Sequence, residues 1–171
     1  MKITETARLL VRTASVDDAV FYHALVNDPA FIEHIGDKGI RTLEDARAAL
    51  LSGPIAMQEE RGHSLYVVEL KGTADAHVQI GMCGLIKRDT LDGVDLGYAY
   101  LPDWRGQGYA YEAAQAVLAH APALGLERLL AIVSPANAAS NGLLRKLGMR
   151  FERFTQLVPD GPGTNVYSIA L

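Results

Sequence analysis

Leu101-Pro102-Asp103-Trp104-Arg105-Gly106-Gln107-Gly108-Tyr109-Ala110 joins a β-rich run to an amphipathic helix through a loop with two glycines, and that junction sets the architecture of the chain. The strand side is Val94 to Leu101. The helix side begins at Ala110, where Ala113, Ala114, Val117, Leu118 and Ala121 fall at helical spacing and predict one packed face ending near Pro122 and Gly125. The first amides of such a helix have no partner inside it and lie at the positive end of its dipole, while glycines let an anion approach the backbone. A diphosphate is the natural ligand. Gly106 and Gly108 also fit a purely structural role as a tight strand-to-helix turn. A dinucleotide fingerprint fits less well, because the third glycine of G-x-G-x-x-G would be Tyr111 and Glu127 precedes the next strand instead of ending it.

Working upstream, Leu65 to Leu70 and Gln79 to Lys87 read as strands separated by Lys71-Gly72-Thr73, with Asp92-Gly93 turning the chain again into a meander. Nearer the N-terminus, Leu9 to Arg12 is a short apolar run. Ser15 is placed to cap a helix from Val16 towards Asn27, and Asn27-Asp28-Pro29 stops it. Pro29 to Ile40 reads as a loop. Thr42-Leu43-Glu44-Asp45 resembles a capping box opening a helix through Leu50, which Gly53-Pro54 breaks or kinks. Downstream, Leu129 to Val133 is an apolar strand of the buried kind, and Pro135-Ala136-Asn137 leads into a helix carrying Leu143, Leu144 and Leu147, with Gly148 as its C′ glycine. Arg150 to Val158 and Asn165 to Leu171 form a closing strand pair around the turn Pro159 to Gly163. This alternation of strands and helices predicts an α/β domain spanning 1–171.

The 171 residues, 49% apolar and 21% charged, suit one globular domain. No run reaches the roughly 18 apolar residues that cross a bilayer. Met1 to Val11 carries Lys2, Glu5 and Arg8, so it reads as neither signal nor anchor. The single cysteine, Cys83, makes no internal disulfide and reads as core, and a cytoplasmic protein without a membrane partner is expected. A formal charge of -4 argues against a nucleic-acid partner and suits a cationic substrate. His23, His34, His63, His77 and His120 lack metal-ligand spacing, so no metal is expected.

The junction resembles the pyrophosphate loop of the GNAT N-acetyltransferases, Arg/Gln-x-x-Gly-x-Gly/Ala, matched by Arg105, Gly108 and Ala110. Leu96-Gly97-Tyr98 before it and Glu112-Ala113 after it are similar to the ribosomal-protein Nα-acetyltransferase branch. So is Asn137-Ala138-Ala139-Ser140 followed by Lys146-Leu147-Gly148-Met149, where Met149 stands in place of the usual Phe. Arg8-Leu9-Leu10-Val11-Arg12 extends the likeness over most of the chain. The resemblance implies the GNAT fold, a strongly twisted mixed sheet flanked by helices with a splayed central strand pair, and acetyl-CoA as cosubstrate. It implies an amine acceptor, small molecule or peptide, and leaves a homodimer open.

By the same resemblance, Arg105, Gly106, Gln107, Gly108, Tyr109 and Ala110 cradle the cofactor's diphosphate. A free backbone N–H near Tyr100 or Leu101 polarises the thioester, Asn137 faces pantetheine, and Ser140 donates to the departing sulfur. Asn137 and Ser140 equally satisfy a helix cap. Transfer to an amine needs a neutral amine, a polarised carbonyl and a stabilised thiolate, and no covalent enzyme intermediate. Asp95 is the first candidate base and Glu69 the second; the alternative for Asp95 is an exposed turn carboxylate. An α-amine with pKa near ~8 is roughly a tenth neutral at pH 7, whereas a lysine near ~10.4 is neutral about once in 2,500. Two rival functions stay open: a silent CoA-binding module, and a nucleotide-dependent oxidoreductase.

Overall fold

The short β-rich runs pair into one eight-stranded open sheet in a computed structural model that describes residues 1–72 and 76–171. The strands are β1 (Lys2–Glu5), β2 (Leu9–Arg12), β3 (Leu65–Lys71), β4 (His77–Lys87), β5 (Val94–Tyr100), β6 (Arg128–Val133), β7 (Arg150–Gln156) and β8 (Gly163–Ala170). Their order is β1-β2-β3-β4-β5-β6-β8-β7. The helices are α1 (Ala19–Val26), α2 (Pro29–His34), α3 (Leu43–Leu50), α4 (Ala56–Arg61), α5 (Tyr109–His120) and α6 (Ala138–Lys146). Thr73, in the turn expected between β3 and β4, lies outside the described residues.

Neighbouring strands pair antiparallel except β5 and β6, which run parallel because α5 carries the chain back across the sheet between them. The stripe read in the sequence is the face of α5 that packs: Ala113, Ala114 and Val117, with Ala121 just past its end, are buried in one cluster with Tyr66, Cys83 and Leu85. Phe21 and Leu25 of α1 cover the opposite face, over Val67 and Met82. On β6, Leu129 and Ala131 join the α5 core and Leu130 packs with Leu91 and Leu157, so the strand needs no polar alternation and all three residues are buried.

The parallel pair is brief. β5 and β6 share one register pair, Asp95 with Leu130, and diverge beyond it. This is the splay that the family resemblance implies, and it opens towards the glycine loop.

Several expected boundaries differ from the structure. Lys2–Glu5 forms an unanticipated strand that pairs with β2. Within the expected loop from Pro29 to Ile40 lies α2: Asp28 accepts from the Phe31 N–H at 3.2 Å, and Pro29 takes the first helical position. Asp-Pro therefore ends one helix and starts the next, since proline lacks only an amide that the first turn leaves unpaired anyway. Gly53-Pro54 does not break its helix. The backbone widens there into a π turn, Leu51–Ile55, and runs on as α4 to Gly62, which closes it at φ +76°. Strand β5 stops at Tyr100 and β7 at Gln156, short of Leu101 and Val158.

Candidate active site

A cleft of about 1160 Å³ opens where β5 and β6 part. Tyr98, Gly108, Asn137 and Ser140 line it, together with Phe31 of α2 and Arg88.

The glycine loop builds the first wall. Gly106 and Gly108 adopt φ +73° and +84°, a left-handed backbone that favours glycine, and Gly108 is the N-cap of α5. The first internal bond of α5 runs from Glu112 N–H to Gly108 O at 3.0 Å, which leaves the amides of Tyr109, Ala110 and Tyr111 without helical partners. The loop's long side chains face the protein. Arg105 donates Nε and Nη2 to the Tyr100 carbonyl at 3.0 and 2.7 Å and Nη2 to Asp28 at 2.5 Å, and Gln107 Nε2 donates to the Asp103 carbonyl at 2.8 Å. The loop thus presents backbone amides and the positive end of the helix dipole to the cleft, while Arg105 and Gln107 bond to carbonyls of the protein itself.

Arg8 holds the loop from outside the cleft. Its Nη1 donates to Gln107 O at 3.1 Å, its Nε to Glu112 at 2.6 Å, and its guanidinium lies 4.4 Å from the Tyr109 ring centre. Thr6 adds a hydroxyl bond to the same Glu112 carboxylate at 2.5 Å. The sequence carried a signal for Arg8 only as part of the N-terminal motif, since its partners lie about a hundred residues away. Trp104 packs on the loop, edge to face with Tyr109 at 6.4 Å, and also lines the cleft.

The splay supplies the floor. Leu101 N–H donates to Ile80 O at 2.9 Å, so this amide is not free, which corrects half of the expectation. Alternation along an antiparallel ladder then turns the amides of Tyr98 and Tyr100 away from β4, towards the gap. The Tyr98 and Tyr100 N–H groups are thus the donors that the splay presents, while the Tyr100 carbonyl is held by Arg105.

The second wall is the start of α6. Asn137 Oδ1 accepts from the Ser140 N–H at 3.1 Å, so Asn137 is a cap, as one of its two readings had it. Asn141, not singled out in the sequence, fixes this helix: Nδ2 donates to Ser134 O and Asn137 O, and Oδ1 accepts from Asn165 and the Tyr167 hydroxyl. Ser140 Oγ projects into the cleft 2.6 Å from Tyr98 Oη. Burial pushes the Tyr98 phenol up to about 12.

The two candidate bases separate. Asp95 is fully buried on β5, which rules out an exposed turn carboxylate, and Arg88 Nε donates to it at 2.8 Å. Burial raises its carboxyl above the usual range against the opposing pull of Arg88. Glu69 faces elsewhere: on β3 it is bound by Arg12 at 2.8 Å in a network that also holds Asp18, away from the residues lining the cleft. That network excludes Glu69 as a base for this cleft. Cys83 is buried in the core and its thiol is raised to about 12, consistent with packing and not with a nucleophile. Among the described residues no His, Cys, Asp and Glu cluster could hold a metal, and no helix is long and apolar enough to cross a membrane.

The Acetyltransferase (GNAT) domain family matches residues 8–150. YoaA of Bacillus subtilis, named as an uncharacterized N-acetyltransferase, is 30% identical over 98% of this chain and 96% of its own length. A GNAT-family acetyltransferase structure from Bacillus anthracis superposes with a TM-score of 0.79 at 27% identity, covering 99% of this chain and 98% of that one. RimL, the ribosomal L7/L12 α-N-protein acetyltransferase, solved with coenzyme A, shares the fold with a TM-score of 0.83 at 18% identity over 100% and 98% of the two chains.

Proposed function

Because the chain belongs to the GNAT acetyltransferase family, we propose that this cleft binds acetyl-CoA and transfers its acetyl group directly to a primary amine in a ternary complex. One observation carries the reading: the unpartnered amides of α5, the Tyr100 N–H and the Ser140 hydroxyl all face one cleft between β5 and β6. The diphosphate lies on the amides of Tyr109 and Ala110. Pantetheine takes the place of a strand in the splay, and the thioester carbonyl accepts from Tyr100 N–H. The amine attacks, the C–N bond forms, and the C–S bond breaks with its electron pair on sulfur, where Ser140 Oγ–H meets the thiolate.

Asp95 takes the amine proton through water, because Arg88 holds the carboxylate and keeps it from direct reach. An α-amine asks least of so constrained a base, being already roughly a tenth neutral at pH 7. The acceptor class we favour is therefore an α-amine, such as a peptide N-terminus; RimL, whose fold this chain shares, is an α-N-protein acetyltransferase. The same Arg88–Asp95 pair favours the second reading, a CoA-binding module without turnover. Thiol release from acetyl-CoA, measured across α-amines, lysine side chains, polyamines and aminoglycosides, separates the two. A homodimer in the cytoplasm is part of this proposal and is checked by sedimentation.

A further inference from the structure

Tyr98 and Ser140 reach each other from different elements. Tyr98 is three residues past the one register pair joining β5 to β6, where the strand has already parted from its neighbour. Ser140 sits in the first turn of α6, where the Asn137 cap and the Asn141 anchors fix the backbone. A serine in a helix commonly returns its hydroxyl to a carbonyl one turn back. Here the hydroxyl meets Tyr98 Oη at 2.6 Å instead, and among the described residues the one other partner of Tyr98 Oη is the Ser140 carbonyl at 3.4 Å.

We propose that Tyr98 is a positioning residue for Ser140: its phenol donates to Ser140 Oγ and so directs the serine's own proton to the sulfur of CoA. Two hydroxyls at this distance can share one proton in either direction, and chemistry decides which. A phenol is a much stronger acid than an alkyl alcohol, and the alcohol oxygen is the better acceptor. Tyr98 therefore donates, and Ser140, already accepting, keeps its proton for a third group. A hydroxyl that accepts a strong hydrogen bond is polarised and becomes a better donor itself. Because burial holds the phenol protonated up to about pH 12, this donor is present throughout any working range. No net proton transfer from Tyr98 is needed. When the C–S bond breaks, its pair stays on sulfur as thiolate, which accepts the Ser140 hydrogen bond, while the proton shed by the amine leaves separately.

The inference rests on the role of Ser140 at the leaving group, and a measurement without an acceptor tests both. CoA is bound to wild type, Tyr98→Phe, Ser140→Ala and the double variant, and the pKa of its thiol is read from thiolate absorbance, with desulfo-CoA as the blank. Circular dichroism and CoA affinity control for folding, and Ser140→Thr, which keeps a hydroxyl, provides a second variant. Ser140→Ala should raise the bound thiol's pKa by about one unit. Tyr98→Phe should raise it by at least half as much, and the double variant no further than Ser140→Ala. An unchanged thiol in Tyr98→Phe overturns the role of Tyr98. A Tyr98→Phe shift that persists without Ser140 also overturns it, since Tyr98 would then act on sulfur directly. If Ser140→Ala itself leaves the thiol unmoved, the leaving-group role of Ser140 fails instead.

Discussion

Arg105 and Asp28 lock the glycine loop to the α1–α2 elbow: Arg105 Nη2 lies 2.5 Å from Asp28 Oδ2, and the same guanidinium caps the Tyr100 carbonyl. Asp28 is also the N-cap of α2, whose Phe31 lines the cleft. One carboxylate thus ties the glycine loop to α2. Asp28→Ala removes both a cap and an ion pair, and should cost about 1–2 kcal/mol in chemical denaturation. KM for both substrates should rise together. A rise confined to acetyl-CoA would show that α2 does not depend on the pair.

Gly108 separates backbone strain from ligand exclusion. At φ +84°, any side chain strains the turn by about 1 kcal/mol. A Cβ would also meet Arg8 Nη2 at 3.3 Å. Gly108→Ala should therefore lose some stability, and should weaken CoA at least tenfold while leaving pantetheine, which lacks the diphosphate, nearly unaffected. Equal losses for the two ligands would remove the diphosphate from this loop.

How much of this was legible in the sequence depends on range. The loop from Trp104 to Ala110 and the α5 stripe declared themselves because their signals are local: glycines at two left-handed positions and small residues at helical spacing. Gly53-Pro54 marked where the α-helix is interrupted after Leu50 but not the form of the interruption, a π turn that absorbs the proline an α-helix would reject. Glu69 looked available as a base until Arg12, 57 residues away, proved to hold it. Tyr98 belongs to the Leu96-Gly97-Tyr98 motif, but its hydroxyl's partner, Ser140, lies 42 residues on. Partnership across the sheet leaves no periodic trace in the sequence.

Glu112 should govern part of the acid stability. Burial alone would raise its carboxyl, but hydrogen bonds from Thr6 and from the Arg8 side chain and backbone hold it below the ordinary value. A carboxyl lowered on folding stabilises fully above its unfolded pKa, near ~4.3, and loses that contribution as pH falls through the folded value. Glu112→Gln should melt below wild type at pH 7, and the gap should close in acid. A gap that is constant with pH would mean that the carboxylate's charge contributes nothing.

Asp95→Asn should lower turnover at neutral pH and recover part of it as pH rises, because more amine is then neutral without assistance. Recovery should be larger for an α-amine than for a lysine, which is still mostly protonated at pH 9. The variant should fold well, since it replaces a buried carboxylate and leaves Arg88 with access to solvent. A variant matching wild type at every pH would confine Asp95 to structure.

Acetyl transfer in the cleft between β5 and β6 is tested by the free thiol that the wild-type protein releases from acetyl-CoA across a panel of amines. Release should be saturable and amine-dependent, with α-amines ahead of lysine side chains, and should be abolished or strongly reduced in Ser140→Ala with acetyl-CoA affinity retained. Tight acetyl-CoA binding with no amine-dependent thiol release from any acceptor would contradict that transfer.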